Sequence, residues 1–204
     1  AVSEIEYLGH IVTREGILPD PKKIVAIKNY TQPRTARKIK QFLGLVGYYH
    51  RHINNFAEIA KPLTLLSKKD VEFKWTDKQE QAFNTLRQAL CQEPILKYSD
   101  FKRPFILATD ASGIALGTVL SQKIGDVEHP IAYASRVLNK AEQNYSVTEK
   151  ELLALVWATK YFRCYFYGHE FVAITDHAAL KWLLSLKDPS SRLSRWSLRL
   201  SEFK

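Results

Sequence analysis

Cysteine is scarce in this chain: Cys91 and Cys164 are the only two thiols among 204 residues. They stand far apart in helix-like surroundings, which excludes a disulfide-stapled scaffold. Two buried thiols in a reducing compartment are the expectation. Long apolar runs are missing too. No stretch approaches the roughly 18 residues that a membrane-spanning helix needs, and the opening AVSEIEYLGHIV lacks a charged segment followed by an apolar one. Neither a membrane span nor a secretory leader is therefore predicted. Internal repeats and low-complexity tracts are also absent. What remains is ordinary core-forming protein, 46% hydrophobic, long enough for one large domain or two small ones.

Acidic residues are the minority: Lys and Arg number 30 against 21 Asp and Glu, for a net charge of +9. The excess is uneven. Basic and acidic residues number 1 and 3 over positions 1–18, 14 and 7 over 19–96, and 15 and 11 over 97–204. A basic middle third is what a protein that neutralises phosphates and releases their counterions would carry, and equally what a solvated basic surface would carry.

Residues 4–18 read as two short strands around a turn at Arg14-Glu15-Gly16. Pro19-Asp20-Pro21 opens a helix that runs to about Asn29, since proline in a first turn has no N–H to lose. Thr35 caps a longer helix, to about His52, with Ile39, Phe42, Leu43, Val46 and Tyr49 at core spacing. Lys40, Gly44 and Tyr48 recur every four residues on another face. Glycine inside a helix costs about 1 kcal/mol against alanine, so Gly44 and Gly47 imply close approach, either of a neighbouring helix or of a nucleic-acid backbone. Helices at 56–67 and 77–92 complete a small helical unit, and Pro94 marks its boundary. Strands are then predicted at 104–109, 117–122 and 130–136, a helix at 147–165, a strand at 171–175, and helices at 177–186 and 190–203. This order makes an α/β mixed sheet with flanking helices.

Asp110 follows one predicted strand and Asp176 another. If the two strands are parallel neighbours, both carboxylates project from their carboxyl ends, where open α/β sheets build sites. Glu151 lies early in the helix between them. Either aspartate alone could be a mere cap. Three acids brought together need cations, and Mg²⁺, which takes oxygen ligands and keeps waters for phosphates to displace, suits them, with Mn²⁺ as the alternative. His50 and His52 are two apart with no Cys-x-x-Cys anywhere, which does not suit zinc. Trp182, Trp196 and Arg195 could stack on bases, but core packing with Leu180, Leu183, Leu193 and Leu198 is the expectation. Lys102, Arg103 and Lys140 are left without an assignment.

With these motifs in order, YLGHIV (7–12), FLGLVGYY (42–49), FAEIAKPL (56–63), TDAS (109–112), HPIAYASR (129–136), NYSVTEKELLA (144–154) and TDH (175–177), the chain resembles the Pol polyprotein of gypsy-class LTR retrotransposons over nearly its whole length. The resemblance implies a reverse-transcriptase ending: a primer-grip-like hairpin at 1–18, a helical thumb at 19–95 and an RNase H-like domain at 96–204. It also implies the rest of the reverse transcriptase, palm and fingers, upstream, and residence in an intracellular retroelement particle. The substrate implied is RNA/DNA hybrid or primer-template, gripped by Lys40, Gly44 and Tyr48 and cut by a metal-dependent ribonuclease H. Asp110, Glu151 and Asp176 match the family's metal-binding acids. Glu151 is preferred to Glu149 because it begins the Glu-Leu-x-Ala run, here Glu151-Leu152-Leu153-Ala154. The family's Tyr-x-Asp-Asp polymerase turn is absent from the chain, and its fourth RNase H acid falls beyond Lys204. The alternative is a non-catalytic, connection-like nucleic-acid-binding module of a reverse transcriptase, against which the three acids argue. An integrase would need the missing zinc ligands.

Overall fold

The computed structural model describes residues 3–92, 95–175 and 191–203, and the chain divides into two compact units, residues 1–98 and 99–204. The first unit opens with a three-stranded antiparallel sheet of β1 (Glu4–Tyr7), β2 (His10–Thr13) and β3 (Ile17–Pro19). The expected hairpin therefore has a third strand. The sequence reading missed the two-residue turn Leu8-Gly9, in which Leu8 (φ 46°) and Gly9 (φ 71°) both take the left-handed conformation that a tight hairpin turn demands. Leucine there gives no turn signal. The second turn forms at the expected residues, where the Thr13 N–H donates to the Gly16 carbonyl at 3.0 Å. Ile17 also bridges to Leu96, which brings the end of the unit back to its first strands.

Four helices follow. In α1 (Pro21–Lys28) the Asp20 carboxylate accepts the Lys22 N–H at 2.8 Å. Thr35 caps α2 (Ala36–Gly47). That helix stops at Gly47, short of His52, and residues 50–52 form a 3₁₀ turn. α3 (Phe56–Leu66) and α4 (Asp77–Cys91) follow, the latter begun by a Thr76/Gln79 capping box. Ile39, Phe42, Val46, Leu63, Phe83 and Leu86 are fully or almost fully buried in one cluster shared by these helices.

The second unit is a mixed sheet in the order β6-β5-β4-β7, from β4 (Phe105–Ala111), β5 (Ala115–Ile124), β6 (Val127–Val137) and β7 (Phe171–Ile174). β4, β5 and β6 form an antiparallel meander, whereas β7 lies parallel to β4 with Ala108 opposite Ile174. Parallel pairing needs a crossover, and the chain between β6 and β7 carries α5 (Val147–Tyr161) and α6 (Arg163–Phe166). One long helix was expected over 147–165. It breaks at Phe162, whose backbone leaves helical geometry while its ring is buried beside Phe105 and Ala158. α7 (Ser191–Leu200) packs on α5 through Leu193 and Trp196, both under one tenth exposed.

Two further expectations are corrected. Cys91 and Cys164 are free but exposed, because each falls on the outward side of its helix end. Leu198 is 71% exposed, and Leu200 packs on the core in its place. The proposed helix at 177–186, with Trp182, Leu180 and Leu183, lies outside the described residues, as does Pro94. No helix among the described residues is long and apolar enough to cross a membrane.

Candidate metal and nucleic-acid site

Asp110 is part of β4 and does not follow it: its backbone pairs with Gly117 of β5 one residue before the strand ends. Alternation along β4 buries Phe105 and Leu107 on the face covered by α5 and leaves Asp110 on the other parity, exposed to solvent. Its neighbour Ala111 packs into the cluster that holds Leu152, Leu153 and Ala154, so the residues adjoining Asp110 and Glu151 share one patch of core. Glu151 itself is half-buried in the second turn of α5.

Asp176 lies outside the described residues, and among the described residues no three His, Cys, Asp or Glu side chains converge on a metal-sized site. The strand register bears on the third acid through sequence alone. Asp110 comes two residues after Ala108, and Asp176 comes two residues after Ile174, the residue paired with Ala108. Thr109 and Thr175, each just before an aspartate, bury their hydroxyl oxygens with no hydrogen-bond partner among the described residues. Carboxylate oxygens are hard donors, which fits Mg²⁺ or Mn²⁺ and not a thiophilic metal.

Glu149 and Glu151 are separated by their surroundings. Ser146 caps α5, its hydroxyl accepting the Glu149 N–H at 3.2 Å while the Glu149 carboxylate accepts the Ser146 N–H at 2.9 Å. Arg192 of α7 holds the same carboxylate. Burial pushes the Glu149 carboxyl up, but the bonds from Ser146 and then Arg192 outweigh it and hold the group below the usual carboxylate range. Glu149 is thus committed to the helix start.

In the first unit, Lys40, Gly44 and Tyr48 are all exposed along α2. Among the described residues a methyl built on Gly44 would meet nothing within 4 Å, so no neighbouring helix among them explains that glycine. Gly47 looks inward, with the Phe56 ring 3.7 Å from a built methyl. Tyr48 sits just past the helix end, 53% exposed, and its hydroxyl donates to the Leu8 carbonyl, tying α2 to the β1–β2 turn. Tyr49 is buried and donates to the Gly9 carbonyl at 2.6 Å.

The sequence reading missed a set of ordered cations. Arg136 at the end of β6 grips Glu142 with both arms, at 2.7 and 2.9 Å, and lies 5.7 Å from the Trp157 ring. The Arg and Glu are six apart across a non-helical corner, so no periodic pattern could have paired them.

A three-stranded meander, a crossover helix and a parallel fourth strand with an acid near the end of its central strand define the RNase H-like class. Residues 100–203 match the model of the RNase H-like domain found in reverse transcriptase. The chain belongs to that family, within the Pol polyproteins of gypsy-class retrotransposons. It is 50% identical over 98% of its length to the retrovirus-related Pol polyprotein from transposon 297 of Drosophila melanogaster, and 40% identical over 94% to that from transposon gypsy of the same organism. It spans about a fifth of each, 19% in both cases. Among solved structures, the foamy viral protease-reverse transcriptase in complex with RNA/DNA hybrid superposes with a TM-score of 0.77 at 26% identity, over 98% of this chain and 28% of that one. The foamy viral protease-reverse transcriptase dRH in complex with ds DNA gives 0.79 at 26% identity, over 97% and 36%.

Proposed function

We propose that this chain is the hybrid-gripping and RNA-cutting part of a retroelement reverse transcriptase, and that its second unit hydrolyses the RNA strand of RNA/DNA hybrids. The single observation that carries this reading is the parallel pairing of β4 with β7, in which Ala108 and Ile174, each two residues before an aspartate in the sequence, stand opposite one another while α5, the helix that carries Glu151, packs on β4. Asp110, Glu151 and Asp176 hold Mg²⁺, or Mn²⁺ in its place. When bound, a pair of such ions supplies the Lewis acidity for activating water and stabilising a leaving oxygen. The chain's own residues do the rest. The three carboxylates give fixed negative charge that is costly to assemble without cations, and the capping bonds of Glu149 keep it from competing with Glu151.

The first unit acts as the thumb: Lys40 reaches phosphate, Gly44 lets a backbone approach, and Tyr48 meets sugar from a position fixed by Leu8. Palm and fingers belong upstream, in an intracellular retroelement particle. The structural relatives solved with RNA/DNA hybrid and with ds DNA support this choice of substrate.

The test is Asp110→Asn, compared with the parent chain. The change keeps shape and removes an anionic ligand. Mg²⁺-dependent cleavage of a labelled hybrid should fall by orders of magnitude, while hybrid affinity, which comes from the basic surface, persists. A variant that cuts as fast as its parent would sink the nuclease reading and leave the connection-like binding module.

A further inference from the structure

A cleft of about 400 Å³ opens on the second unit between α5, α7 and the corner after β6. Neither Asp110 nor Glu151 lines it. Among the described residues five cations do, Arg136, Lys160, Arg192, Arg195 and Arg199, against a single acid, Glu142, which Arg136 already neutralises. Trp157 and Trp196 supply its aromatic wall.

Two of the five cations, Arg136 and Arg192, are held in place. Arg136 is fixed by Glu142 and lies over Trp157, and Arg192 is fixed by Glu149 and lies 4.1 Å from the centre of the Tyr145 ring. Such anchoring reduces the entropy that a guanidinium loses on gripping an anion. The buried Nε–H of Arg192 finds no acceptor among the described residues. Lys160 and Arg199, both exposed, form no ion pair among the described residues. A net charge excess of this kind, with two cations unneutralised and an aromatic wall, is a binding site for an anion that also offers a flat or apolar part.

We infer that the cleft takes a backbone phosphate of a nucleic-acid strand, with Arg199 and Lys160 on the phosphate oxygens and the partly exposed Trp157 against sugar. This gives the RNase H-like unit a hybrid contact separate from its acids, and it rests on the proposed reading that the unit binds hybrid. Guanidinium forks match phosphate oxygens in pairs, and aromatic rings tolerate any base or sugar, so the contact adds affinity without sequence preference.

The test is the double variant Lys160→Gln, Arg199→Gln in the full chain, compared with Lys102→Gln, Lys123→Gln, which removes the same charge from exposed positions of the same unit outside the cleft. Affinity for a labelled RNA/DNA hybrid is measured against salt concentration. Loss of one phosphate contact should make the slope of log K against log salt shallower by about 0.7 to 0.9 and weaken binding at 0.1 M salt roughly five- to eightfold. The control pair should change neither by that much. Inorganic phosphate should compete only weakly, which separates a strand phosphate from a free one. Equal slopes for the two double variants, or full displacement by millimolar inorganic phosphate, would overturn the inference, and so would displacement by polyglutamate matched in charge to the hybrid. The two readings fail separately: a parent that keeps the slope difference but never cuts loses only the nuclease assignment.

Discussion

Gly44 and Gly16 are the same residue in opposite situations. Gly44 lies in regular helix with open space where a Cβ would go, whereas a methyl on Gly16 would stand 2.3 Å from the Leu96 carbonyl oxygen, at a φ of +153°. Gly44→Ala should therefore stabilise the first unit by up to about 1 kcal/mol, the helix-propensity difference. Gly44→Leu should keep the fold and weaken hybrid binding, because the bulk then occupies the space a nucleic-acid backbone would use. Gly16→Ala should do the reverse and destabilise the unit by about 1–3 kcal/mol through strain and a lost Ile17–Leu96 bridge. Urea denaturation and hybrid anisotropy on the three variants separate these outcomes. A Gly44→Leu protein that melts early, or binds as the parent does, would remove α2 from the proposed interface.

The corner between β6 and α5 combines several short-range devices. Arg136, Glu142 and Asn139 close it, and the Glu142 carboxylate accepts the Asn139 N–H at 2.9 Å. The Arg136 guanidinium bonded to Glu142 holds that carboxyl below its usual range, and burial opposes the shift without reversing it. A depressed carboxyl pKa stabilises the fold above the unfolded value, about 4.3, and the contribution is lost as pH falls through the folded value. Glu142→Gln should thus cost about 1–2 kcal/mol at pH 7, and the gap to the parent should close toward pH 3. A gap in urea midpoint that stays constant from pH 7 to pH 3 would assign the loss to packing and not to charge. Elements like this one show what a single sequence conceals. The periodic stripes of α2 and α4 and the β-branched runs of β4 and β7 are local, and their positions could be read directly. The Leu8-Gly9 turn could not, because the left-handed leucine is held by tertiary contacts from Tyr48 and Tyr49. Nor could the break at Phe162, which a buried ring imposes on an otherwise helical run, or the pairing of Arg192 with Glu149 across 43 residues. For the same reason Asp110 was readable as an acid at a strand end, while its pairing inside β4 needed β5.

Each unit has its own core: the cluster of the first runs from Ile24 to Leu90 and the two clusters of the second draw on residues 105 and beyond. Their charges differ as well. Residues 1–98 carry 16 Lys and Arg against 10 acids, and residues 99–204 carry 14 against 11. A separate core predicts separate folding, and twice the net charge predicts that the first unit supplies the larger part of the phosphate-dependent affinity. Residues 1–98 alone should therefore unfold cooperatively, with helical circular dichroism in the native state, and should bind RNA/DNA hybrid with an affinity that falls steeply between 50 and 200 mM salt. That binding should be the same in Mg²⁺ and in a chelator, since none of Asp110, Glu151 or Asp176 is present. Residues 99–204 alone should bind more weakly at every salt concentration, because their smaller charge excess includes the acids that repel phosphate when no cation screens them, and Mg²⁺ should strengthen their binding for that reason. Anisotropy titrations of the two fragments, each with Mg²⁺ and with chelator, give four curves. If the first fragment unfolds without a cooperative transition, or if only the first fragment responds to Mg²⁺, the division of labour between a charged grip and a metal-dependent cutter is wrong.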